Sequence, residues 1–196
     1  MAPTRGRPRS FDRDAALEQA VLAFWARGYE ATSIADLTRA MGIGAPSLYA
    51  AFGDKAALFR EALDRYQERY GGWAVRAVED EPTARAAMER LLREAAAQLT
   101  AGGRPRGCLL IGAGDQGTTT SGDAEEALRV RRRAATEVLE ERIRRGARAG
   151  ELPPEEAPAL ARLVHAVFQG MAQQARDGAS RTELEKVAAA ALRGWP

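Results

Sequence analysis

Between residues 11 and 53 the apolar residues fall in three short stripes at helical spacing, and each stripe is followed by a glycine. Leu17, Ala20, Val21 and Phe24 share one helical face, with the capping candidate Asp12 ahead of them and Gly28 behind, which predicts a helix over Arg13–Arg27. Thr32 and Ser33 offer the next N-cap. Ser33 and Asp36 have the spacing of a capping box, and Ile34, Leu37 and Met41 mark the buried side of a short helix stopped by Gly42. A third helix runs from about Ala45 to Phe52, with Pro46 tolerated in its first turn, Leu48 and Phe52 facing inward beside Ile43, and Gly53 ending it. Helices this short are not stable alone and must pack on one another. Two of them joined by a glycine turn and laid on a longer one make a helix-turn-helix unit, whose second helix can enter the major groove of DNA, although a corner of any helical bundle has the same pattern.

The rest of the chain supports an all-α reading. About forty of the 196 residues are alanine, while valine and isoleucine are scarce, a balance that favours helix over sheet. Helical patterns cover Lys55 to about Val78, Thr83 to Thr100, Cys108 to Gln116, Ala124 to Ala149, Glu156 to Arg176 and Arg181 to Arg193, with Gly, Pro and capping residues at the breaks. With 45% apolar residues the chain can bury a good core without staples. No signal peptide or eighteen-residue apolar run is present, so a cytoplasmic protein without a membrane partner is expected. One cysteine excludes an intramolecular disulfide, and with a single histidine there is no cluster suited to a structural or catalytic zinc, so no metal and no cofactor are expected.

One motif points elsewhere. In "CLLIGAGDQG", Gly112, Gly114 and Gly117 spell G-x-G-x-x-G after a short apolar run, as in a dinucleotide-binding enzyme. The surroundings disagree: no second β-branched run exists to build a parallel sheet, and "TTTSG" is a poor start for the helix that would hold a pyrophosphate. No Ser/His/Asp or paired-carboxylate arrangement is visible either, so the chain is expected not to be an enzyme.

The stretch "FWARGYEATSIADLTRAMGIGAPSLYAAFGDKAALF", Phe24 to Phe59, resembles the TetR family of transcriptional regulators, carrying its G-Y-x-x-T-S-I, turn glycine, L-Y-x-x-F and D-K-x-x-L-F. The resemblance implies about nine helices: a helix-turn-helix DNA-binding domain with a basic N-terminal arm over residues 1–53, then a helical ligand-binding and dimerisation domain over 54–196. It also implies a homodimeric repressor that binds a near-palindromic double-stranded operator and is released by a small-molecule inducer.

Candidate DNA contacts come from both sources. Arg5, Arg7 and Arg9 form an acid-free run ahead of the first helix, suited to following phosphates or entering a minor groove, or to a solvated tail. With Leu48 and Phe52 inward, Pro46 and Ala50 must face outward, flanked by Ser47 and Tyr49. The resemblance adds Tyr49, Lys55 and Thr32 or Ser33 as phosphate contacts. Ala45, Ala50 and Ala51 stand where some family members carry lysine or histidine, which leaves the bases read by this helix open.

In the second half, Tyr66, Tyr70, Trp73, Met88, Leu91, Leu92, Ile111, Phe168 and Met171 could wall a ligand pocket, with Gln116, His165, Gln169 and Gln173 as polar anchors, although such stripes serve equally as plain core. Cys108, beside Arg104 and Arg106, is a candidate ligand contact and suggests an alternative redox- or electrophile-sensing regulator; it also suits a small buried hydrophobe. Leu160, Leu163, Val164 and Val167 form one stripe, Leu184, Val187, Ala188 and Leu192 another, and together with the resemblance they predict a dimer interface.

Overall fold

The computed structural model describes residues 11–112 and 122–196. Helix α1 (Arg13–Arg27), α2 (Ile34–Met41) and α3 (Ala45–Phe52) have the expected bounds. Asp12 caps α1 by accepting from the backbone N–H of Asp14 and Ala15, and Ser33 and Asp36 form a reciprocal capping box at the start of α2. Gly42 ends α2 at φ +67°, a left-handed conformation that side chains rarely adopt. That turn sets α3 across α2.

Next come α4 (Lys55–Tyr70), α5 (Gly72–Glu79), α6 (Ala84–Leu99), α7 (Leu109–Gly112), α8 (Gly122–Arg148), α9 (Ala157–Arg176) and α10 (Arg181–Ala191), with short 3-10 turns at Pro154–Glu156 and Leu192–Gly194. The chain is all-α among the described residues, with ten α-helices where about nine are expected. Part of the difference is at Gly71, where the single helix expected from Lys55 to Val78 is two. Helix α4 ends at Tyr70 and α5 restarts at Gly72, and the break needs a glycine because a Cβ at Gly71 would sit 2.5 Å from the Gln67 carbonyl oxygen.

Around α1 the core is aromatic. Phe24 is fully buried, stacked on Tyr29 at 6.1 Å between ring centroids and edge-on to Phe59 of α4 at 4.9 Å. Leu37, Leu48 and Phe52 close the same cluster from α2 and α3. Further along the chain, alanine replaces the rings: Ala84, Ala87, Ala95 and Ala96 of α6 and Ala157, Ala161, Ala172 and Ala175 of α9 are buried. Small side chains let helices approach closely, and α6 comes so near α8 that a Cβ on Gly146 would lie 2.7 Å from the Ala84 Cβ. The buried Arg142 of α8 donates to the Val78 and Glu81 carbonyls, both at 3.0 Å, and so satisfies acceptors at the end of α5. No helix among the described residues is long and apolar enough to cross a membrane.

Candidate nucleic-acid interface

Burial of Leu48 and Phe52 in the core shared with α2 and α4, with Arg13 of α1 over the Phe52 ring, fixes the rotation of α3. Pro46 and Ala50 are consequently exposed, Tyr49 is 51% exposed, and Ala45 and Ser47 are half-buried at the margins. The outward surface of α3 is thus small and apolar apart from the Tyr49 phenol and the Ser47 hydroxyl.

The two hydroxyl candidates before α2 differ. Ser33 is exposed, with its hydroxyl held in the capping box, where it donates to Asp36 Oδ2 at 2.6 Å. The first backbone N–H groups of α2 are left facing outward beside it. Thr32, expected as a phosphate contact, is fully buried, and its hydroxyl donates to the Gly28 carbonyl at 2.6 Å. Its role is to tie the end of α1 to the start of α2, because a buried carbonyl needs a donor. Lys55, in the first turn of α4, places Nζ 4.2 Å from the centroid of the Tyr29 ring; burial lowers its pKa, opposed by the charge of Glu30.

Two cations on this side are absent from the sequence reading. Arg27 and Arg39, exposed at 57% and 76% of their side chains, bracket Asp36 at 3.2 and 3.1 Å. Hydrogen bonds from Ser33, then these charges, hold the Asp36 carboxyl at a pKa of about 2. The three-residue spacing of Asp36 and Arg39 was the available signal. Arg5, Arg7 and Arg9 lie outside the described residues.

Behind the reading surface, α1 meets α4 and α7 through an aromatic box. Trp25 stands edge-on to Tyr66 at 4.8 Å and to Tyr70 at 5.1 Å, and Arg104 Cζ lies 5.4 Å from the Trp25 centroid and 5.1 Å from that of Tyr70. Tyr66 donates to Cys108 Sγ at 3.4 Å, and Tyr70 bonds to Glu18 of α1. Burial pushes the Tyr66 phenol well above its ordinary pKa and the Cys108 thiol upward as well. Of the pocket candidates, therefore, Tyr66, Tyr70 and Cys108 come together, joined by Trp25 and Arg104, whose approach across the chain leaves no local sequence signal.

The others separate. Trp73 and Phe168 pair at 6.5 Å, and His165 is hydrogen-bonded through Nδ1 to Thr136 Oγ1, its pKa lowered by burial and then by Arg132. Ile111 and Gln169 are half-buried, and Gln173 donates to Asp177 at 3.0 Å. Met88, Leu91, Leu92 and Met171 are buried in the close-packed interior, where the stripe marks core. Gln116 lies outside the described residues. An open groove of about 450 Å³ does exist between α6 and α10, but charged residues, including Arg85, Glu89, Arg93, Glu185 and Arg193, line much of it.

The run ahead of Gly112 is the helix α7 and not a strand, while Gly114 and Gly117 lie outside the described residues. Gly112 has a packing reason: a Cβ there would fall 1.3 Å from Arg176 Nη1, and one at Gly107 would fall 2.6 Å from Arg176 Cγ. Arg176 of α9 threads between these two glycines.

The stripes expected to dimerise also divide. Leu160, Val164, Leu184, Ala188 and Leu192 are buried within the protomer, with α10 packed on α6, so they are not on a surface that a second copy could reach. Apolar periodicity selected the side facing the core. Leu163 is 48% exposed, Val167 and Val187 are half-buried, and around them Ala159 and Ala166 of α9 and Ala190 of α10 face outward.

This arrangement has relatives. Residues 16–62 match the family profile described as bacterial regulatory proteins, tetR family. The chain is 38% identical to the HTH-type transcriptional repressor ComR of Escherichia coli K12 over 98% of its own length and 93% of that protein, and 30% identical to the repressor BdcR of the same organism over 95% and 90%. A cysteine-substituted variant of the TetR family regulator CifR, solved with a 26-base-pair double-strand operator DNA, superposes with a TM-score of 0.92 at 43% identity, covering 97% of this chain and 100% of that one. With its helix-turn-helix, its all-α fold and relatives matched along nearly its whole length, the chain belongs to the TetR family of transcriptional regulators.

Proposed function

We propose that the chain is a ligand-responsive repressor that binds a near-palindromic operator as a homodimer and leaves it when a small-molecule inducer binds. The observation that carries this reading is the orientation of α3, whose core side packs toward α2 and α4 while Pro46, Tyr49 and Ala50 face outward. Residues 1–53 act as the reader and 54–196 as the regulatory and dimerising part. Ala45 to Phe52 include no Arg, Lys, Asn or Gln, so bidentate base contacts are unavailable from this helix. Pro46 and Ala50 favour thymine methyl groups, Tyr49, Ser33 and Lys55 hold phosphates, Arg5, Arg7 and Arg9 supply an arm, and DNA shape contributes the rest.

The outward faces of α9 and α10 around Leu163, Val167 and Val187 pair the protomers. Pairing fixes the separation of the two readers, which must match major grooves roughly 34 to 36 Å apart. An inducer acts by favouring another separation, to the extent of its differential affinity.

Cys108 fits a redox sensor poorly, because burial holds it as the thiol and thiolate is the reactive form. Selection of bound fragments from random duplex DNA, followed by replacement of contacted thymines with uracil, tests the proposal. A near-palindromic consensus whose binding weakens on uracil substitution is expected, and no enriched sequence would overturn it.

A further inference from the structure

Two side-chain donors among the described residues are buried without an acceptor, Trp25 Nε1 and Arg104 Nε. Both belong to the aromatic box, yet they come from different elements: α1, and the connection between α6 and α7. A buried N–H without a partner has lost its hydration and gained nothing in return, so each of these groups favours an incoming oxygen. The charge points the same way. Arg104 donates to the Gln98 carbonyl at 3.0 Å and to Gln98 Oε1 at 2.6 Å and lies over two rings, with no carboxylate partner among the described residues. The connection that carries it is open: a Cβ on Gly102 or Gly103, just before Arg104, would meet nothing within 4 Å.

We infer that this box is the subsite for a small organic carboxylate, which rests on the ligand-responsive reading above and gives the inducer a place and a chemical class. The carboxylate accepts from the Arg104 guanidinium and from Trp25 Nε1, and an apolar body lies along Tyr66 and Tyr70. A carboxylate suits the site better than a neutral carbonyl because it balances the guanidinium charge and matches its planar fork. Trp25 is on α1, and both Tyr66 and Tyr70 are on α4, so an occupant of the box touches the reader and the regulatory part at once. Opening the box to admit it changes how α1 rests on α4. The α6–α10 groove lacks such buried donors, and its arginines share it with Glu89 and Glu185.

Benzoate is the probe, with benzyl alcohol as its neutral counterpart, titrated calorimetrically into the full-length protein. Saturable benzoate binding is expected, with benzyl alcohol at least about tenfold weaker and Arg104→Gln reducing benzoate affinity by a similar factor, as loss of a charge-assisted contact requires. Trp25→Phe keeps a ring, removes the N–H, and should weaken binding by a smaller factor. Circular dichroism melts verify folding, and Arg104→Gln, on the open connection, remains informative if Trp25→Phe does not fold. No saturable binding by the wild type, or equal affinity in wild type and Arg104→Gln, overturns the subsite. Benzoate binding that depends on Arg104 but leaves operator affinity unchanged keeps the subsite and overturns the ligand-responsive reading.

Discussion

The reader helices and the regulatory bundle reach a buried core by opposite means. Around α1–α3 a few large side chains do the filling: Phe24 and Tyr29 contact Phe59 of α4 ring to ring, and each short helix contributes two buried residues. In α6, α8 and α9 many alanines and Gly146 bring the backbones close, and no single side chain dominates. A core keyed by rings has one good arrangement and moves as a body, whereas smooth helix faces can slide over each other by small amounts. That division suits a rigid reader attached to a bundle that, on the proposal above, adopts two spacings.

Four substitutions test the contrast. The largest effect is expected for Phe24→Ala, which should cost about 3–5 kcal/mol as a buried ring is removed, measured by denaturant unfolding and accompanied by loss of operator binding. A cost under about 1 kcal/mol would mean that the aromatic cluster does not key the reader. Gly146→Ala tests the bundle from the other direction: overpacking against Ala84 should cost about 1–3 kcal/mol, and an increase in stability would show that α6 and α8 have room to separate. Thr32→Val should cost about 1 kcal/mol by leaving the Gly28 carbonyl without its donor. If that variant instead kept full stability and lost operator affinity, the Thr32 hydroxyl would be a phosphate contact after all.

The smallest effect concerns pH. His165 has a folded pKa below its ordinary 6.5 through burial and Arg132, so the unfolded chain binds more protons and stability falls as pH drops below about 6.5 toward the folded value. His165→Gln should flatten the melting temperature across that window. An unchanged slope would mean that His165 does not carry the acid sensitivity in that window; Asp36 acts in a lower one, its stabilising contribution present above its ordinary 3.8 and lost as pH falls through about 2.

The reader was legible because its signals are local: Asp12, Ser33 and Asp36 cap, Gly28, Gly42 and Gly53 stop, and Leu48 and Phe52 orient α3. Gly71 escaped notice because Trp73, Ala77 and Val78 continue the apolar pattern past the break. The outer faces of α9 and α10 were misplaced for a similar reason. Periodicity finds the more apolar side of a helix, and a surface built from Ala159, Ala166, Ala190 and a lone Leu163 scarcely registers beside buried Leu160, Val164 and Leu184. Arg104 over Trp25 is a contact across 79 positions of sequence that no local pattern encodes.

The passage of Arg176 between Gly107 and Gly112 also constrains how such a chain can change over evolutionary time. Any side chain at position 112 would occupy the place of the guanidinium, and one at 107 would strike both its stem and the Ala172 carbonyl. Positions 107, 112 and 176 are consequently not free to drift separately. A lineage that loses Gly112 must first shorten the residue at 176, so those two should vary together among descendants of this sequence, whereas Gly107, at φ +79° and against the Ala172 carbonyl, stays glycine even when 176 is shortened.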